Sequence, residues 1–342
     1  MRKLTAIRFG LGVIALLALP LQASEVDSFT HRHALKDAAP LLNQVVNVWM
    51  EEAVIDANKP PLIADITAQV EQAGCNEQRL MSAVKDRLAA YLVGQLETFA
   101  NESTALDTIK TPFVNSIYRD FDFTESPSIS LTERLAVLLR IGDVYLGADK
   151  LGHFFTEGYT YYEHYLADGE QSALLYGDFT ESSYYGELTT GIFSFADLTA
   201  NLNGLRFWNS VLAKKIDPID RSDNVRPYIV CRDNKWQRVR DFDWNDYVDD
   251  AWDEAINCNG YRDETLLRKA QKRIRQASGG RSCPLLSPSS LWLKHKYGHL
   301  LPSILNTQGP RVLKSFNRNL QQYWDEIVRK LDLAVDQIRP SL

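Results

Sequence analysis

Apolar residues recur every three or four positions along most of this chain, a spacing that favours a mainly helical fold. The predicted helices span residues 41–57, 77–99, 243–257, 264–276 and 313–338. Strand-like sequence is clear only at residues 228–239, where two short runs flank a polar turn. We therefore expect a mainly α protein, a compact helical domain with one small β-hairpin near residues 228–239.

Two capping motifs predict helix starts near the centre of the chain. Ser130 is followed three positions later by Glu133, and Ser194 is followed at the same distance by Asp197. A serine with an acidic residue at this spacing is typical of a helix amino terminus. Helix initiation alone is therefore one explanation for Asp197.

The amino terminus has the order of features found in a secretory signal peptide. Basic residues precede an apolar run over 9–19, and Ala23 ends a segment with small residues. The run is shorter than the roughly 20 apolar residues that a membrane-spanning helix needs. We expect residues 1–23 to be a cleaved signal peptide, and residues 24–342 to form a single, mostly helical domain that is periplasmic or secreted and has no membrane span.

Four cysteines, Cys75, Cys231, Cys258 and Cys283, lie in no CxxC arrangement, so a compact zinc knuckle is not indicated. Export to an oxidising compartment favours two disulfide bonds. Four cysteines allow three pairings, and we favour Cys258 with Cys283. Free structural thiols are the alternative.

The charge balance argues against a nucleic-acid partner. Removing residues 1–23 leaves 35 Lys plus Arg against 44 Asp plus Glu, with no concentrated basic face. Such a chain is poorly matched to a phosphate backbone. The expected partner is an envelope component or an envelope protein.

The most informative polar pattern lies in a helix predicted over residues 149–166. Asp149, His153 and Glu157 are spaced by four, so a helix places all three on one side, opposite aromatic residues. Imidazole and carboxylates can hold a divalent metal, or a carboxylate can orient the imidazole as a general base. The candidate catalytic residues are His153, Asp149, Glu157 and Lys150. The candidate ligands of a divalent metal are His153, Asp149, Glu157 and Asp197.

The same pattern has an ordinary structural interpretation. A stripe of charged residues is also typical of the solvent face of an amphipathic helix. Gly152 and Gly158 interrupt this helix, and each costs about 1 kcal/mol relative to Ala. Close packing or access to a site would explain their presence.

The segment Asp-Lys-Leu-Gly-His-Phe, which starts at Asp149, resembles the DKxxHF signature of uncharacterised bacterial periplasmic lipoproteins and, more loosely, of VanZ-like membrane proteins. A second segment in those families is similar to the one here that contains Ser194, Asp197 and Asn201. The resemblance covers residues 140–210 and implies an envelope location without an agreed reaction. This chain departs from both families, because it has no lipid-anchor cysteine, exceeds the lipoproteins in length and lacks the spans of the VanZ-like proteins. The resemblance draws attention to Asp149, Lys150, His153 and Asp197.

Other motifs are weaker. His295 and His299 lie four positions apart, but the Glu of the zinc-protease pattern is missing between them. The acidic segment over 241–254 lacks the glycine and closing Glu of a calcium-binding EF-hand, so we predict an amphipathic helix there. The sequence has no GxSxG, Walker or dinucleotide-binding motif.

Two functional hypotheses follow. In the first, the chain is a hydrolase of an envelope component, with His153 as base or ligand and nearby carboxylates, including Glu187 or Asp197, in support. In the second, it is a non-catalytic envelope scaffold or binding protein. Asp149, Lys150 and His153 then form a buried hydrogen-bonded knot between helices.

Overall fold

The computed structural model describes residues 25–30, 32–59, 74–89, 94–183, 186–187, 189–223, 225–286 and 290–313. The expected signal peptide over 1–23 and nearly all of the helix predicted over 313–338 lie outside the described residues. Within these ranges, none of the helices combines the length and the apolar character that crossing a membrane requires.

Helices make up most of the regular structure, which confirms a mainly α fold. The helices are α1 Ala39–Asn58, α2 Glu77–Leu88, α3 Gln95–Glu102, α4 Pro127–Thr132, α5 Asp149–Gly152, α6 Gly158–Asp168, α7 Glu170–Glu181, α8 Phe195–Leu212, α9 Glu264–Ala277, α10 Ser290–Tyr297 and α11 Leu301–Ile304. The strands are β1 Leu138–Ile141, β2 Val144–Gly147, β3 Ile192–Phe193, β4 Ile229–Arg232, β5 Lys235–Arg238, β6 Gly260–Tyr261 and β7 Arg311–Val312.

The predicted hairpin is present as the antiparallel pair β4 and β5, with Ile229 opposite Arg238. Its two turn residues, Asp233 and Asn234, have φ angles of 51° and 58°. Two consecutive positive φ angles are typical of the type I′ turn that joins twisted strands, and Asp and Asn tolerate this conformation.

The described residues contain more strand pairs than the one hairpin that the sequence predicts. The strands β1 and β2 form a second antiparallel pair, and β6 lies between antiparallel β3 and parallel β7. The helix start predicted at Ser130 is also wrong, since Ser130 lies inside α4, which ends at Thr132 with Glu133 in a left-handed conformation. The apolar run that follows is buried on both faces, so it lacks the alternation that identifies a strand in sequence.

The helix predicted over 243–257 is also wrong. The segment contains two short 3₁₀ helices, Trp244–Asp246 and Asp250–Trp252, joined by irregular backbone. The Asp243, Asp249 and Asp253 carboxylates each accept a hydrogen bond from the backbone N–H two positions later. Such local bonds compete with helical hydrogen bonds, and a periodicity count does not detect them.

Two other helix predictions agree well with the structure, and a third agrees in part. The predictions over 41–57 and 264–276 match α1 and α9, and Asp263 caps α9 by accepting from two backbone N–H groups. The helix predicted over 77–99 is instead two helices, α2 and α3, and Gly94 precedes α3.

The helix predicted from Asp149 is continuous but widens in the middle. A π-helical segment, His153–Glu157, joins α5 to α6. The Phe155 carbonyl faces α8, where Trp208 Nε1 donates to it at 2.9 Å. A Cβ atom on Gly158 would lie 2.7 Å from Gly204 Cα, so two glycines permit this crossing. Gly158 therefore has the close-packing role expected from sequence.

The larger hydrophobic core lies around this crossing. Phe154 is fully buried and contacts aromatic rings from α8 and from the segment after β5. The ring centroids of Phe154 and Trp244 are 4.8 Å apart, and tilted aromatic contacts of this kind add to the stabilisation from burial. The polar side of the same helix is therefore anchored by a rigid apolar side.

Both disulfide bonds are present. Cys258 pairs with Cys283, as favoured from sequence, and Cys75 pairs with Cys231. The first bond closes a separation of 25 residues and the second a separation of 156 residues.

Candidate functional site

The side chain of Lys150 lies at the centre of a buried group of charges. Its Nζ atom is 2.7 Å from Asp149 Oδ2, 2.5 Å from Asp197 Oδ1 and 2.6 Å from Glu254 Oε1. The Lys150 side chain is 0% exposed. An ammonium has three donors and no acceptor, so three carboxylates match its bonding capacity. We call Asp149, Lys150, His153, Asp197 and Glu254 the Lys150 cluster.

The three carboxylates come from different parts of the chain. Asp149 begins α5, Asp197 lies in the first turn of α8, and Glu254 follows the 3₁₀ helix Asp250–Trp252. Asn259 Nδ2 donates to the second oxygen of Glu254 at 2.9 Å. The ammonium therefore ties three segments together within the protein interior.

The imidazole of His153 extends the cluster through Asp197. Its Nε2 atom is 3.1 Å from Asp197 Oδ2, and its Nδ1 atom is 3.1 Å from Asn201 Oδ1. Two oxygen acceptors are satisfied together only when both ring nitrogens carry protons. Burial lowers the pKa of His153, but the carboxylates of Asp197 and Glu157 outweigh this effect and raise it well above its usual value.

At the amino terminus of α8, the Asp197 carboxylate does not take part in capping the helix and can contact Lys150 and His153. Ser194 Oγ accepts from the Asp197 backbone N–H at 3.2 Å, which is the capping bond predicted from sequence. In a complete capping box, the acidic side chain would accept from the serine N–H. Here Glu181 Oε1 accepts that bond at 2.8 Å. Helix initiation alone therefore does not account for the Asp197 carboxylate, which pairs with Lys150 and His153.

Burial raises the pKa values of most carboxyl groups in this region, and neighbouring carboxylates add to the increase. Burial is the largest cause of the increase for Glu25 and Glu181, whose pKa values lie well above the usual range. Burial and the nearby Asp149 and Asp197 raise the pKa of Glu254 to about 7, although Lys150 opposes them. Protonation of part of this set near neutral pH reduces the net charge of the interior.

Asp197 differs from its neighbours because it contacts both cations. Burial alone would raise its pKa, but His153 and Lys150 outweigh burial and lower the pKa below the usual value. Asp197 is thus the carboxylate that remains ionised. It is also the residue that links Lys150 electrostatically to His153.

One edge of the group reaches the surface. The side chains of His153 and Glu157 are 14% and 18% exposed, and the His153 Nδ1 atom lies 3.9 Å from Glu157 Oε2. Both residues belong to the π-helical segment, a distortion that is frequent at functional sites. This edge is where a substrate would have to approach.

The structure brings most of the predicted residues together. Asp149, Lys150, His153 and Asp197 are in direct contact, and Glu157 lies at their edge. The interpretation of the polar stripe as a solvent face is wrong for Asp149 and Lys150, which are buried.

Two other sequence candidates lie elsewhere. Glu187 is fully buried, and burial together with Asp178 raises its pKa to about 7, while Arg262 opposes them. His299 Nε2 lies 2.7 Å from Glu170 Oε1 and contacts Arg221 rather than pairing with His295 on a metal.

The sequence patterns do not identify Glu254, Glu181 or Asn259 as members of the site. Glu254 was assigned to the polar face of a helix that does not exist. The local sequence gives no clear signal for Glu254, because it follows Asp253 in an acidic segment, although Trp252, Ala255 and Ile256 lie nearby.

The carboxylates of Asp149, Asp197 and Glu254 have the spacing of metal ligands. Their nearest oxygen atoms all lie within 4.8 Å of one another, the one such group found among the described residues. The Lys150 ammonium forms ion pairs with all three, so an internal cation takes the position that a metal ion would need. These donors do not fit a divalent metal while Lys150 remains in place.

Comparisons of the chain with protein-family models, with curated proteins and with solved structures found no match. The geometry of the site is therefore the basis for inferring a function.

Proposed function

We propose that this chain is an exported, non-catalytic envelope protein of the scaffold or binding class, in which the Lys150 cluster joins helices. The observation that carries the proposal is the complete burial of the Lys150 ammonium with three carboxylates at 2.5–2.7 Å. The ammonium donates hydrogen bonds to Asp149 and Glu254 and forms an ion pair with Asp197, so its charge is balanced inside the protein. Export is proposed from the leader sequence, and the two disulfide bonds are compatible with it.

The bonding of His153 also supports a structural role. A general base needs a ring nitrogen with a free electron pair at the working pH. Both nitrogens of His153 face oxygen acceptors, and the pKa of the ring is raised by Asp197 and Glu157 against the effect of burial. The imidazolium acts in this arrangement as a second internal cation.

A hydrolase is the second candidate, and one observation favours it. His153 and Glu157 are partly exposed at a π-helical segment, where a substrate has access to an imidazole beside a carboxyl group of raised pKa. In Glu157, burial is the main cause of the increase. Under this alternative, Glu157 is the acid and His153 orients it or the attacking water.

Replacing His153 tests the two functions against each other. We expect His153→Gln to lower the free energy of unfolding by about 2 kcal/mol, because a buried charge-assisted pair with Asp197 is lost. The folded-state pKa of His153 is raised, so its stabilisation is complete below pH 6.5 and declines as pH rises through the folded-state value. Urea unfolding at pH 6 and at pH 9 measures the difference from the wild type.

The matched control is His295→Gln, at an exposed histidine in α10, which should change stability little at either pH. A His153→Gln variant with wild-type stability at both values would contradict the structural role. A melting temperature that rises with added Zn²⁺ in the wild type, but not in His153→Gln, would support the metal site and contradict the proposal.

A further inference from the structure

The helix α9 concentrates positive charge in a chain that is acidic overall. Its only acidic residue is Glu264, at the first position. Its basic residues are Arg268, Lys269, Lys272, Arg273 and Arg275. The formal net charge of the chain is −6, so a net count does not reveal this helix. The expectation that the chain has no concentrated basic face is therefore wrong for α9.

Three of these basic residues form a row that faces away from the protein. Arg268, Lys272 and Arg275 are exposed, and their spacing of four and three residues places them on one side of a helix. The buried residues Leu266 and Ile274 lie on the opposite side and join the hydrophobic core. The outward row is therefore accessible to a partner.

Nearby acidic residues pair with the flank of α9 and not with the outward row. Lys269 Nζ lies 2.5 Å from Glu125 Oε2, and Arg273 Nε donates to Asp120 Oδ2 at 2.7 Å. Within the described ranges, no carboxylate forms an ion pair with a residue of the outward row. The field of these three cations is therefore directed toward the solvent.

Two arginines from outside α9 extend the row. Arg119 Nη2 donates to Gln276 Oε1 at 3.3 Å, so this side chain reaches the last turn of α9. Arg281 is exposed in the turn after the helix, where its Nε atom donates to the Ser278 carbonyl at 3.1 Å. Neither arginine has a carboxylate partner among the described residues. We call Arg119, Arg268, Lys272, Arg275 and Arg281 the α9 basic surface.

An apolar side chain lies next to the α9 basic surface. Val114 is 63% exposed, and the carbonyl of the adjacent Asn115 accepts from Arg119 Nη1 at 3.2 Å. Protein segments that bind at a membrane interface combine Lys and Arg with apolar side chains. The composition of this region therefore suits a lipid surface.

We propose that the α9 basic surface binds an anionic phospholipid membrane through the phosphate groups of the lipids. The inference rests on the proposed export, which brings the chain to the envelope membranes, and it names the envelope component for the binding class. Four of the five cations are arginines, whose planar guanidinium groups bind phosphate oxygens through paired hydrogen bonds. Each Lys or Arg near an anionic bilayer increases the affinity about fivefold.

The acidic residues elsewhere in the chain do not cancel this attraction. At physiological ionic strength the Debye length is about 8 Å, so exposed carboxylates farther than this from the bilayer are largely screened. The charges that contact the lipid then come from the α9 basic surface. Nucleic acid also presents phosphate groups, but the proposed export separates the chain from it.

Vesicle co-sedimentation of the chain without residues 1–23 tests the proposal, because an apolar leader would bind lipid by itself. The probes are vesicles of phosphatidylcholine alone and vesicles in which about one lipid in three is phosphatidylglycerol, at about 0.1 M salt. We expect the chain to bind only the mixed vesicles. This binding should be lost at about 1 M salt, where the Debye length is about 3 Å.

Removing the outward row tests the location of the contact. The triple variant Arg268→Gln/Lys272→Gln/Arg275→Gln should bind the mixed vesicles at least about tenfold more weakly than the wild type. Glutamine is a good helix former, so α9 should persist. The single variant Arg275→Gln disturbs the helix less and should weaken binding about threefold or more.

The matched control is the triple variant Lys36→Gln/Arg232→Gln/Lys235→Gln. It changes the net charge by the same amount, but its three exposed cations lie outside α9, two of them in the hairpin of β4 and β5. It should bind the mixed vesicles like the wild type. Melting temperatures verify that every variant is folded.

The inference would be overturned if the chain bound neither kind of vesicle or both equally. It would also be overturned by unchanged affinity in the α9 variants, or by an equal loss in the control. A short DNA duplex that binds as tightly as the mixed vesicles would assign the surface to nucleic acid and contradict a membrane. Each of these failures would leave the stability results for the Lys150 cluster untouched, so it can be told apart from failure of the structural role.

Discussion

Replacing Lys150 with Met is expected to lower the free energy of unfolding by about 3–5 kcal/mol, the usual consequence of removing one partner from a buried ion pair. Met has a similar length and fills most of the same space, so the loss is electrostatic. Three carboxylates would remain in an interior where Lys150 is 0% exposed, without the ammonium that now forms ion pairs with them. Denaturant unfolding at pH 8 measures the change.

The matched control is Lys214→Met. Lys214 also contacts a carboxylate, that of Glu77, but the two side chains are 39% and 53% exposed. Exposed ion pairs contribute about 1 kcal/mol or less. Similar small losses in both variants would contradict the structural role of Lys150.

Removing the Cys75–Cys231 bond is the second change with a large expected effect. The bond closes a separation of 156 residues, and the loop-entropy relation gives a stabilisation of about 5 kcal/mol. The double variant Cys75→Ala/Cys231→Ala should therefore unfold at a much lower denaturant concentration than the wild type. Thermal or urea unfolding under non-reducing conditions measures this difference.

The second disulfide provides the comparison. Cys258–Cys283 closes only 25 residues, for which the same relation gives about 3.5 kcal/mol. The unfolded state thus gains less freedom when Cys258 and Cys283 are replaced by Ala. A larger loss in that variant than in the Cys75/Cys231 variant would show that loop length does not control the effect.

Sequence periodicity identified the fold class because helices that bury one face repeat their apolar residues regularly. The helices near Leu42 and Ile274 follow this rule. The rule fails at Leu138, whose strand is buried on both faces, and at Asp243 and Asp249, where side chains bond the backbone locally. Short strands and Asp-rich turns depend on such contacts, which a count of apolar residues does not contain.

The candidate site was predictable in part for a similar reason. Asp149, His153 and Glu157 are close in sequence, so helical spacing alone places them together. Glu254 approaches Lys150 across 104 residues, and no local pattern encodes that contact. The spacing also could not show which way the helix faces, and this orientation decides between a solvent stripe and a buried cluster.

A double-mutant cycle between Lys150 and Glu254 tests the central claim most directly. Unfolding free energies are measured at pH 8, above the pKa of about 7 for Glu254, for the wild type, Lys150→Met, Glu254→Gln and the double variant. A structural cluster predicts a coupling energy of about 2 kcal/mol or more, because the two charges are buried together. A coupling below about 0.5 kcal/mol, the level found for independent sites, would contradict the claim that this pair holds the helices together.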